Sequence, residues 1–146
     1  MLPRTAEYAV RAVVLLARHS GERLVSTGEI ASVIGAPRNY LSKTLNTLVR
    51  SGILTSMRGP GGGFALAKPP GLISVADVIA VFAEAQPRHS RCLLEDKPCD
   101  AAFPCASHRR WVTLTRLARE PLVATTIGEL CGNHRWTSAL KRRMTR

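Results

Sequence analysis

Three of the chain's four cysteines, Cys92, Cys99 and Cys105, fall within one stretch, CLLEDKPCDAAFPCASH, which ends on His108. Thiols and an imidazole gathered this closely point to metal or redox chemistry where cysteines stay reduced. Six residues separate Cys92 from Cys99 and five separate Cys99 from Cys105. Loops of that length wrap a group larger than a single ion, which is what an iron–sulfur cluster asks of its thiolates. Zinc sites favour shorter spacings, of about two to four residues, so a closed Cys₃His zinc centre suits the donor types better than the spacing. Cys105 and His108 stand at i and i+3 near a helix start, where both can face one ligand. Arg91, Lys97, Arg109 and Arg110 flank them, favour thiolates and offset cluster charge. Cys105 and His108 could also be nucleophile and base, but no orienting third group is visible, so an enzyme is not expected. Cys131 is expected to be a small buried apolar residue. His19, His89 and His134 are expected at the surface without partners, and Trp111 as a core or dimer anchor.

The whole chain narrows the partner. Lys and Arg number 21 against 10 acids in 146 residues, a net charge of +11. That excess favours a polyanion, nucleic acid ahead of an anionic membrane. The apolar run YAVRAVVLLARHS is short, is broken by Arg11 and is followed by no cleavage pattern; nothing approaches a membrane span. A cytoplasmic protein with no membrane partner is expected. Aromatic residues make up only 5%, so the core must be aliphatic.

The elements that position these groups are legible from apolar spacing. A first helix from about Thr5 puts Ala9, Ala12, Val13, Leu16 and Ala17 on one face, with Arg4, Glu7, Arg11 and Arg18 on or beside the other, and Gly21 as its end. STGEIASVIG predicts a short helix with Ser26 and Glu29 as a capping box, Ile30, Val33 and Ile34 buried, and Gly35 as a left-handed stop. PRNYLSKTLNTLVRSG predicts a third helix. Pro37 lies in its first turn, Leu41, Leu45 and Leu48 form the buried stripe, and Arg38, Asn39, Ser42, Lys43 and Asn46 lie opposite. Two such helices across a tight turn are a helix-turn-helix, whose second helix offers its polar N-terminal half to a major groove. ILTSMRGPGGGFALAKPP then predicts a β-hairpin with a Gly-rich tip, a wing. Arg58 sits at its shoulder, suited to a minor groove. Its glycines are expected where backbone approaches another surface closely. A fourth helix follows Ser74, with Asp77 completing a capping box. Beyond the cysteine loop a helix from about Ala106 carries Trp111, Leu114, Leu117 and Ala118 as its apolar stripe, with Pro121 ending or kinking it. TTIGEL restarts helix with Thr126 and Glu129 as a third box. The basic end, NHRWTSALKRRMTR, is expected to be mobile.

TAEYAVRAVVLLA, VSTGEIASVIGAPRNYLSKTLNTLVRSGIL, RGPGGGFALAKPP and the clustered cysteines resemble the Rrf family of winged-helix transcription regulators, IscR- and NsrR-like members above all. The resemblance spans about residues 1–131. It implies a mainly α fold: a winged helix-turn-helix with a small hairpin wing over residues 1–72, a sensor loop and long dimerisation helix over 73–131, and the basic tail 132–146. It implies a homodimer on a pseudo-palindromic double-stranded DNA operator. Arg38, Asn39, Tyr40, Ser42, Lys43, Arg58, Gly59 and Gly61 are then the expected DNA contacts. It also implies a 2Fe–2S or 4Fe–4S cluster on Cys92, Cys99 and Cys105. The fourth ligand is His108 by the IscR-like pattern, or Glu7 from the other subunit by the NsrR-like one. IscR- and NsrR-like members place five residues between successive cysteines, so the Cys92–Cys99 interval is one longer. The Glu and Gln that IscR has at the Ser42 and Lys43 places are missing, so its operator is not carried over. A cluster-free regulator of the same fold, switching by thiol oxidation or zinc binding, is the alternative.

Overall fold

A computed structural model describes residues 3–82 and 108–132. In chain order it holds α1 (Arg4–Arg18), α2 (Thr27–Ile34), α3 (Arg38–Arg50), β1 (Leu54–Met57), β2 (Gly63–Leu66), a 3₁₀ turn (Pro70–Leu72), α4 (Val75–Ala80), α5 (His108–Ala124) and α6 (Ile127–Gly132). The mainly helical class, the helix-turn-helix and the two-stranded wing are as the sequence predicts.

The first helix is more deeply placed than a single apolar stripe implies. Val14 and Leu15 are buried along with Ala9, Ala12, Val13, Leu16 and Ala17. The reason is that α1 is the central element, contacted by α2, α3 and β2 and also by α4 and α6. It stops at Arg18, ahead of Gly21, which instead takes φ +83° in the turn that follows. Ile73, Val75, Val78 and Ile127 join the same core as the three N-terminal helices. Each fully buried aliphatic side chain contributes ~1.5–3 kcal/mol, so this cluster outweighs the exposed ion pairs in setting the fold.

Two of the three expected capping boxes form whole. Ser74 and Asp77 exchange hydrogen bonds at 3.0 Å in both directions, and the Ser74 backbone N–H is the main reason Asp77 titrates below its ordinary value. Thr126 and Glu129 do the same at 2.8 and 3.2 Å. The Ser26 box is half formed. Ser26 Oγ accepts from the Glu29 N–H at 3.2 Å, but the Glu29 carboxylate turns to Arg23, whose Nη1 and Nη2 donate at 2.9 and 2.5 Å. A forked guanidinium outcompetes a single backbone N–H for a carboxylate. That hydrogen bonding holds Glu29 below its usual carboxylate range.

Pro121 does not end α5, which runs on through it to Ala124. Its carbonyl remains useful, accepting from both the N–H and the hydroxyl of Thr125 at 3.0 and 2.8 Å. The chain then turns and is stitched beside the start of α4. Val75 N–H donates to Thr125 O at 2.9 Å, and Ile127 N–H to Ile73 O at 2.8 Å.

Candidate nucleic-acid interface

The helix-turn-helix is built from α2 and α3. Gly35 takes φ +70°, a conformation glycine adopts freely, and the N–H groups of Gly35 and Ala36 both reach Ala31 O at 3.0 and 3.1 Å. Pro37 caps α3 and its carbonyl accepts from Leu41 N–H at 2.9 Å. Leu41, Leu45 and Leu48 are fully buried, and this fixes which face of α3 points outward. Arg38, Asn39, Lys43 and Asn46 are on the exposed face, and Ser42 is half-buried beside them. The Arg38 guanidinium lies back across the first turn of α2, 3.8 Å from where a Cβ on Gly28 would sit. Thr44 is a buried polar residue inside α3, and its hydroxyl donates to Tyr40 O at 3.2 Å.

The wing follows α3 directly and packs on it through β1. Its strands pair antiparallel, Leu54 opposite Leu66 and Met57 opposite Gly63. Arg58, Gly59 and Gly61 are exposed at the tip. Gly59 and Gly61 take φ +101° and +73°, and the Gly62 N–H closes the turn on Gly59 O at 2.9 Å. The close approaches expected of the glycines are made, but at other positions and to the chain itself. A Cβ on Gly63 would lie 2.5 Å from Val25 O, and one on Gly62 would strike Met57 O. The Val25 contact went unforeseen in the sequence. Val25 N–H donates to Phe64 O at 3.0 Å and Phe64 N–H to Val25 O at 2.9 Å, so the segment before α2 holds the wing's base. The apolar Val25 just ahead of the Ser26 cap was the available signal.

Tyr40, expected on DNA, is exposed and also touches α1. Its hydroxyl is hydrogen-bonded to the Thr5 hydroxyl, and its ring meets Tyr8 edge to face at 6.0 Å between centroids and 73° between planes. His19 is not partnerless either, with Nδ1 3.7 Å from the Glu22 carboxylate. Cys131, expected to be buried, is half-buried against the core, with Sγ 3.6 Å from Val14 O, and burial pushes its thiol up in pKa. On α5, Leu114 and Leu117 are exposed in the single chain, at 61% and 53%.

Of the expected metal ligands, Glu7 is half-exposed in the first turn of α1 and residue 108 opens α5. Cys92, Cys99 and Cys105 and the side chains of His108 and Trp111 lie outside the described residues, as do His89, His134 and the basic tail. Among the described residues no group of three or more His, Cys, Asp or Glu is placed to hold a metal. Among them, too, no helix is long and apolar enough to cross a membrane.

A helix-turn-helix with a glycine-tipped wing, both presenting cationic side chains, is DNA-reading architecture. Residues 2–133 match the model of the Rrf2 family, described as an iron-dependent transcriptional regulator. The chain belongs to the Rrf2 family. A protein of Aquifex aeolicus whose assigned role is HTH-type transcriptional regulator is 38% identical, over 86% of this chain and 88% of its own. The HTH-type transcriptional regulator IscR of Xenorhabdus nematophila is 32% identical, over 90% of this chain and 79% of its own. Among solved structures, CymR, the global cysteine regulator of B. subtilis, superposes with a TM-score of 0.74 at 26% identity, covering 90% of this chain and 96% of that one. T. potens IscR gives 0.72 at 27%, covering 89% and 85%. This Rrf2 chain is thus a transcription regulator of the IscR and CymR type, not an enzyme.

Proposed function

We propose that this Rrf2 regulator is a cytoplasmic homodimer that reads a pseudo-palindromic operator and carries an iron–sulfur cluster in its three-cysteine loop. The observation that carries the DNA half is the exposed cationic and amide face of α3 beside the Arg58 shoulder of the wing. Arg38, Asn39, Ser42 and Lys43 meet bases and phosphates in the major groove, while Arg58 enters the minor groove with Gly59 and Gly61 letting the tip approach. Residues 1–72 carry these contacts, and 73–131 carry the sensor loop and dimer helix. The two recognition helices of a dimer meet half-sites about one helical turn (~10 base pairs) apart. Arg58→Ala is expected to weaken operator binding by ~1–3 kcal/mol at fixed salt, measured by fluorescence anisotropy. Unchanged affinity would remove the wing from the interface.

The donor set fits the cluster. Three thiolates from Cys92, Cys99 and Cys105 would hold it, with His108, or Glu7 of the other subunit, as a fourth, harder ligand. When bound, such a cluster supplies a centre sensitive to redox state, nitric oxide or iron–sulfur supply. Arg109 and Arg110 follow His108 in sequence and would offset the charge of a bound cluster. Anaerobically purified protein is expected to absorb in the visible and to contain matched iron and sulfide. His108→Ala and Glu7→Ala then identify the fourth ligand. Colourless protein, carrying zinc or nothing, would instead make the loop a zinc or thiol switch. The DNA reading would stand.

A further inference from the structure

Tyr40 stands in the first turn of the recognition helix, where side chains commonly reach DNA. It is 41% exposed, yet both ends of its side chain are engaged with α1. Its hydroxyl bonds Thr5 and its ring meets that of Tyr8 edge to face. Thr5 and Tyr8 are three residues apart on α1 and so share one helix face. Tyr40 therefore binds two adjacent positions of α1 with one side chain. The buried stripe of α3, Leu41, Leu45 and Leu48, sets which face points outward, but non-directional aliphatic packing holds the fine angle about the helix axis less sharply. A directional hydrogen bond and an edge-to-face ring pair fix rotation.

We propose that Tyr40 is a positioning residue: it sets the angle at which α3 presents Arg38, Asn39 and Lys43 by clamping the helix start to Thr5 and Tyr8 of α1, and does not itself read DNA. This rests on the DNA-binding reading above. It has a consequence for switching. Glu7 lies between Thr5 and Tyr8 in sequence, and α1 also contacts α4 and α6. A displacement of α1 is passed to the recognition helix at this clamp.

The test is a double-mutant cycle with Tyr40→Phe and Thr5→Val, which remove the two hydroxyls and keep ring and volume. The probes are a labelled duplex enriched by the wild-type chain from a random-sequence pool, and an unselected duplex of equal length. Each single variant is expected to lose about threefold to tenfold in affinity for the enriched duplex, the worth of one hydrogen bond. The double variant is expected to lose no more than either single one, because both remove the same contact. Affinity for the unselected duplex stays unchanged, since phosphate contacts tolerate a small rotation. A residue that only stabilised the fold would not move this ratio well below the melting temperature. Additive losses, or a loss for Tyr40→Phe alone, would make Tyr40 a DNA contact and overturn the proposal. So would no loss in either single variant. If the wild-type chain enriches no duplex, it is the DNA-binding reading that fails.

Discussion

Leu114→Glu combined with Leu117→Glu is expected to split the proposed homodimer and to cut operator affinity by roughly 10²–10⁴-fold. The two leucines are three residues apart on α5, on one face, and both are exposed in the single chain. A second copy covering them buries surface worth ~1.5–3 kcal/mol per leucine. Glutamate keeps the helix, because its propensity is close to that of leucine. It would leave four like charges facing each other across the proposed two-fold interface, in place of four apolar groups. Each half-site would then be bound by an unlinked monomer, and the gain from tethering two recognition helices disappears. Sedimentation velocity reads the assembly, and anisotropy on the enriched duplex reads the affinity. A variant that stays dimeric would place the interface elsewhere.

Gly63→Ala is expected to destabilise the fold by roughly 2–4 kcal/mol, whereas Gly59→Ala costs about 1 kcal/mol, the strain of a left-handed φ. The same substitution differs in effect because the glycines serve different ends. At Gly59 a Cβ meets nothing within 4 Å, and only φ +101° opposes it. At Gly63 the backbone conformation is unexceptional, but the new carbon would sit 2.5 Å from Val25 O and 2.7 Å from Val25 C. Backbone atoms cannot rotate away as a flexible side chain would. The wing's base must move, and the paired Val25–Phe64 hydrogen bonds go with it. Urea unfolding of the two variants measures the difference. Equal losses would mean that Val25 yields easily and does not fix the wing. Gly63→Ala should also weaken operator binding beyond its loss of stability, because Arg58 is aimed from the same hairpin.

The sequence alone was enough for the order and type of the elements, since these depend on local chemistry. Leu41, Leu45 and Leu48 at helical spacing, Gly35 and Pro37 between two helices, and the Gly-rich tip each express a preference of the backbone or of one helix face. The family followed from the same stretches, because the motifs are contiguous. Position within the core was not legible. Val14 and Leu15 fall on the same side as the charged residues of α1, and they are buried because α4 and α6 contact α1 as well as α2, α3 and β2. Glu29 has two possible partners in sequence, and the fold brought Arg23 to it with a better hydrogen-bonding geometry than the Ser26 N–H. Tyr40 lies where a DNA contact is expected, but its hydroxyl and ring face α1, whose first turn is 35 residues upstream. Local spacing determined what each segment is, and tertiary packing decided what each side chain touches, because contacts distant in sequence are chosen by competition among partners that spacing does not rank.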